Sequence, residues 1–144
     1  MLSTDSCADR LNGLLRGEIS AVETYGIALE GIANLAIRKE LEDVQNSHLK
    51  RVESLSTIIE RMGKKPAASS GVWGSFAKIM EGGMRIFGEK ATIDVLEQGE
   101  DKGLADYQNL MREDSPELRM VVNDLLQAQE NSHEKMSKLK HQIH

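Results

Sequence analysis

A glutamate with a tyrosine seven residues on occurs twice, as Gly17-Glu18 with Tyr25 and Gly99-Glu100 with Tyr107. Each pair is followed by a histidine with an amide or acid three residues before it: Gln45-x-x-His48 and Glu130-x-x-His133. Residues three apart on a helix are neighbours on one face, so each x-x-His pair offers an imidazole and an oxygen to one ion. Two glutamate helices and two Glu-x-x-His helices are the set with which a helical bundle holds two metal ions. The expected ligands are Glu18, His48, Glu100, Glu130 and His133, with Gln45 in the place of a carboxylate. Glu97 lies one turn before Glu100 and is a candidate for a further ligand.

Each motif also has a plain structural use. A Glu-x-x-His pair or a single glutamate suits a solvated helix face, and Tyr25 and Tyr107 suit a core. The conjunction favours metal, because carboxylates converging inside a bundle need a cation, a hydrogen-bond donor or a proton. His141 and His144 are also three apart, but they stand near the chain end and are expected to be exposed.

Four helical stretches must position these residues. Leu11, Leu14, Leu15, Ile19, Val22 and Leu29 recur at helical spacing from about 3 to 30, and Gly31 can end that run. A second stretch runs from about 34 to 62 and stops at Gly63-Lys64-Lys65-Pro66, the usual order at a helix C-terminus. Residues 63–72 read as a loop, and Trp73, Phe76, Ile79, Met80, Met84 and Phe87 as a short amphipathic helix with a break at Gly82-Gly83. A third long helix covers about 89–112. The fourth covers about 116–139, with Ser115 as N-cap, Pro116 in the first turn and Glu117 at the positive dipole end.

The expected architecture is all-α: a single 1–144 domain, two antiparallel helix hairpins joined by a crossover over about 63–88 that packs along the bundle. In such hairpins, residues equidistant from the turn lie side by side. The midpoint of Glu18 and Gln45 falls at Gly31-Ile32 and that of Glu100 and Glu130 at Ser115, both on turns recognised independently.

The composition agrees. Aromatics are only 3% of the 144 residues, against 28% charged and 40% hydrophobic, which disfavours strands. A net charge of −5 without a basic stripe argues against nucleic acid or an anionic membrane as partner. Cys7 is the only cysteine, which excludes an internal disulfide and a thiolate cluster. With no basic leader and no long apolar run, the expected location is the cytoplasm.

On these residues the chain resembles the ferritin-like superfamily, bacterioferritin and rubrerythrin in particular, over nearly its whole length. The stretches Leu14–Tyr25, Ser70–Phe76 and Glu97–Tyr107 look more closely like an uncharacterised bacterial ferritin-like family, a four-helix domain of unknown function. The resemblance implies a ferritin-like four-helix bundle with Glu18 and Glu100 as terminal ligands, Glu130 bridging two ions, and His48 and His133 capping them. Tyr25 and Tyr107 would hydrogen-bond the ligands and hold their orientation. Gln45 departs from the pattern, since an amide bridges metals poorly, and Glu97 would offset the loss as an extra third-helix glutamate does in rubrerythrin.

The leading expectation is therefore a non-haem di-iron or di-manganese protein, with zinc as a substitute, that reacts with oxygen, peroxide or ferrous iron. Its chemistry would be ferroxidase- or peroxidase-like, with no individual catalytic residue named. The alternative is a non-catalytic bundle with a site degenerate at Gln45, acting in assembly or partner binding, with a homodimer as the expected assembly. A weaker third is a metal sensor or buffer holding one ion on His48, Glu130 and His133.

Overall fold

The computed structural model describes residues 2–71 and 74–143, without the side chains of 75, 76, 81 and 83–87. It is an all-helical bundle of α1 (Thr4–Gly31), α2 (Leu35–Arg61), α3 (Gly74–Leu110) and α4 (Pro116–Ile143). Short turns join α1 to α2 and α3 to α4. α1 packs broadly on α2 and α3, and α3 on α4, while α2 and α4 touch over a smaller area.

The ends of the helices follow local chemistry. Ser3 caps α1 by accepting from the Ser6 amide at 3.1 Å, and Asn34 caps α2 by accepting from the Ile37 amide at 3.1 Å. Gly63, at φ 77, ends α2 while the Lys64 amide reaches back to the Ile59 carbonyl at 3.2 Å. Ser115 accepts from the Leu118 amide at 3.2 Å, so the Ser-Pro signal does start α4.

The crossover differs from expectation in one respect. Its helix continues through Gly82-Gly83, and the non-helical residue is Gly88, at φ 77 and ψ −159. Glycine inside a helix lowers stability by about 1 kcal/mol but does not by itself break it; a left-handed φ does. Met80 of this helix is fully buried in the core, and Ile79 is exposed. Trp73 lies outside the described residues, as do the side chains of Phe76, Met84 and Phe87.

The apolar core falls into two clusters. One gathers Tyr25, Ala28, Leu41, Val44, Ile93, Leu96 and Met136, and the other Leu11, Leu15, Leu55, Ile59, Tyr107, Leu118 and Val122. The sequence positions between them belong to polar residues: Glu18 on α1, His48 and Arg51 on α2, Glu100 on α3, Gln129 and Ser132 on α4. No helix among the described residues is long and apolar enough to cross a membrane.

Candidate functional site

Heptad spacing explains which side chains reach this polar layer. On α4, Leu118, Val122, Leu125, Gln129, Ser132, Met136 and Leu139 alternate steps of four and three. On α2, Ile37, Leu41, Val44, His48, Arg51 and Leu55 do the same. That alternation is the seam a helix turns toward its neighbours. His48-x-x-Arg51 and Gln129-x-x-Ser132 therefore occupy equivalent inner places in the two halves. Glu18 and Glu100 face them from α1 and α3, each with its tyrosine two turns further on.

The tyrosines cross-brace the halves. The Tyr25 hydroxyl donates to Glu100 Oε2 at 2.7 Å, and the Tyr107 hydroxyl donates to Glu18 Oε2 at 3.3 Å. His48 spans both carboxylates, Nδ1 to Glu18 Oε1 at 3.0 Å and Nε2 to Glu100 Oε2 at 2.6 Å. Its ring stacks on Tyr25 with centroids 5.5 Å apart. Arg51 places Nε 3.0 Å from Glu18 Oε2 and donates to Ser132 Oγ at 3.1 Å, to Ser47 Oγ at 3.2 Å and to the Gln129 amide oxygen. Ser132 donates to Glu100 Oε1 at 2.6 Å, and Gln129 Nε2 donates to the same oxygen at 3.2 Å and to the Glu100 carbonyl at 2.9 Å.

Every carboxylate oxygen of Glu18 and Glu100 thus has a protein donor. Among the described residues no buried side-chain nitrogen or oxygen is left without a partner. That matters because Arg51 is only 2% exposed, and an unpaired charge at such depth would cost several kcal/mol.

The titration directions follow from this packing. Burial works against a charged His48, yet the Glu100 and Glu18 carboxylates and their hydrogen bonds raise its pKa to about 9. Burial likewise opposes ionised Glu100, but His48, Ser132 and Tyr25 hold it down at about 2. Burial, then the neighbouring carboxylates, push Tyr25 and Tyr107 well above the ordinary tyrosine value, so both remain hydroxyl donors. With His48 protonated, two carboxylates face one imidazolium and one guanidinium, and the centre is neutral.

The structure sorts the residues singled out by spacing into three groups. Glu18, His48, Glu100, Tyr25 and Tyr107 come together in this centre. Gln45 turns away from it, donating from Nε2 to the Val22 carbonyl of α1 at 3.0 Å. Glu130 is exposed, and His133 is half-buried and pairs with Asp101 at 2.5 Å. Glu97 sits beside that pair, with Lys140 Nζ 3.8 Å away.

Glu130 and His133 miss the centre for a simple reason. Each residue rotates a helix by about 100°, and they stand one step past Gln129 and Ser132, which hold the seam. Spacing alone also passed over Arg51, Gln129 and Ser132. The four-three alternation was the signal for all three, because it includes polar residues as readily as apolar ones.

A bundle site for two ions takes four carboxylates and two imidazoles. This centre holds two carboxylates and one imidazole, with a guanidinium in their midst, so its residues do not fit a metal pair. Beside it lies a cavity of about 40 Å³ bordered by Glu18, His48, Glu100 and both tyrosines. Ala21 and Gly103, the small seam residues between each glutamate and its tyrosine, leave that space. It is large enough for one or two water-sized groups.

Residues 6–113 match the model of a protein family described as "Domain of unknown function (DUF2383)". No curated protein matches the chain. No solved structure matches it either.

Proposed function

We propose, from the premise that the chain belongs to the DUF2383 family and takes no activity from it, that this is a ferritin-like bundle working without a metal pair. Protein cations do in its core what metal ions do in the di-metal bundles. Its role is then non-catalytic, in assembly or partner binding, with a homodimer as the simplest assembly. One observation carries the reading: the Arg51 guanidinium lies inside the bundle, 3.0 Å from the Glu18 carboxylate. A cation fixed there repels a metal ion and removes the need for one, since it already meets the buried charge.

The experiment is metal analysis of protein purified without a histidine tag, before and after anaerobic ferrous and manganous reconstitution. The expected result is no ion whose retention depends on Glu18 or Glu100, and no ferrous oxidation above background. Two irons or manganese per chain, lost together in Glu18→Gln, would overturn the reading. Sedimentation velocity across a concentration series tests self-association directly.

A second reading keeps the metal chemistry. Glu18, His48, Glu100, Tyr25 and Tyr107 do border one cavity, and three of them offer metal-binding atoms. An iron or manganese ion on Glu18, His48 and Glu100 would supply reactivity toward oxygen or peroxide, with both tyrosines orienting its carboxylates. Peroxide turnover that follows bound metal and disappears in His48→Gln supports this reading over the first.

A further inference from the structure

One residue beyond the inner pair Glu100 and Ser132, about 100° further round the same helices, stands an outer pair. His133 Nε2 lies 2.5 Å from Asp101 Oδ1. Glu97, one turn before Asp101 on α3, brings its carboxylate to the same place, and donor atoms of all three lie within 4.8 Å of one another.

We propose that Glu97, Asp101 and His133 form a surface site for a divalent first-row transition ion, independent of the buried centre. Metal–ligand bonds of about 2.0–2.2 Å place two donors of one ion up to about 4.4 Å apart, so small side-chain rotations bring this set onto an ion. Two carboxylates with one imidazole suit zinc, manganese or iron, and three ligands leave the remaining positions to water. The charge argument is the reverse of that in the core. There His48 and Arg51 lie against the two carboxylates; here Glu97 and Asp101 bring two carboxylates to one imidazole, a set that a dication suits.

Two further features set the triad apart from a chance acidic face. The Glu97 side chain is only 13% exposed and Asp101 55%, so the group is sunk on one side and open on the other. The equivalence of the two seams does not produce it either. With Glu100 matched to Glu18 and Gln129-x-x-Ser132 to His48-x-x-Arg51, the first-half positions are Leu15, Ile19 and Val52, so apolar residues stand there where this half carries three ligands. Lys140, 3.8 Å from Glu97, is beyond hydrogen-bond reach and can swing away on binding.

Calorimetric titration of the untagged full-length chain with zinc chloride, repeated with manganese, tests the site. The expected result is one ion per chain. His133→Ala and Asp101→Asn should each weaken it more than about 100-fold, because even the outer partners of ligands are worth about 10–100-fold. Lys140→Gln should tighten binding a few-fold, and His141→Ala should leave it unchanged. Uptake should weaken on acidification, as protons compete for the imidazole. Circular dichroism of each variant confirms folding.

No uptake by the native chain, or equal uptake by His133→Ala, overturns the proposal. Uptake that survives His133→Ala but is lost in Glu18→Gln places the ion in the core and overturns the metal-free reading as well. Uptake lost in His133→Ala alone leaves that reading standing.

Discussion

Arg51 and Glu18, thirty-three residues apart on neighbouring helices, form an ion pair of 3.0 Å with side chains only 2% and 5% exposed. The pair ties α2 to α1, and the hydrogen bonds of Arg51 to Gln129 and Ser132 tie it to α4. Breaking one partner of a buried pair leaves a charge without compensation, at a cost of about 3–5 kcal/mol. Arg51→Met should therefore lower unfolding stability by about that amount in urea titrations. Combining it with Glu18→Gln should cost clearly less than the two single losses together, because the second change removes the orphaned charge. Strict additivity would mean that the two residues do not act as a pair.

Stability should depend on pH through His48 and Glu100. The folded pKa of His48 is raised from 6.5 to about 9, so its contribution is fully present below 6.5 and fades as pH climbs to 9. That of Glu100 is lowered from 4.5 to about 2, so its contribution is present above 4.5 and fades as pH falls toward 2. Both describe one contact and are not to be added. At about 1.4 kcal/mol per pKa unit, the loss between pH 6.5 and 9 should be about 3 kcal/mol. Denaturation midpoints measured across that range check it, and His48→Gln should flatten the alkaline limb.

Two glycines should respond oppositely to alanine. A Cβ at Gly103 would stand 2.8 Å from Gln129 Nε2. That side chain is buried and held by Glu100 and Arg51, so it cannot simply swing aside. Gly103→Ala should cost about 1–3 kcal/mol. A Cβ at Gly13 meets nothing within 4 Å, so Gly13→Ala should stabilise α1 by up to about 1 kcal/mol. Thermal melts of the two variants should move in opposite directions.

Gln45→Glu separates geometry from ligand chemistry. Gln45 donates to the Val22 carbonyl, a bond an ionised glutamate cannot make. The variant should lose about 1 kcal/mol and gain no metal. Increased iron or manganese uptake would show that position 45 can reach the centre after all.

Much of the fold was readable along the chain. Ser3, Asn34 and Ser115 cap helices through contacts of three residues, and Gly63 ends one, so neighbouring residues suffice to announce them. Gly82-Gly83 and Gly88 were harder to tell apart, because glycine permits a break without requiring it. The packing around Met80 and the left-handed φ of Gly88 belong to the assembled bundle.

The sequence by itself determined the doubling: Glu18 and Glu100, a tyrosine two turns beyond each, and heptad seams on α2 and α4. These are periodicities within a helix, and a helix expresses them wherever it packs. Only the tertiary structure decided which neighbours meet. One residue of sequence is about 100° of helix rotation, so packing alone separated Gln129 and Ser132, which face the core, from Glu130 and His133, which do not. It also set Arg51 against Glu18 and His48 between two carboxylates. Those contacts cross from helix to helix, where the charge of one side chain fixes what its partner can hold.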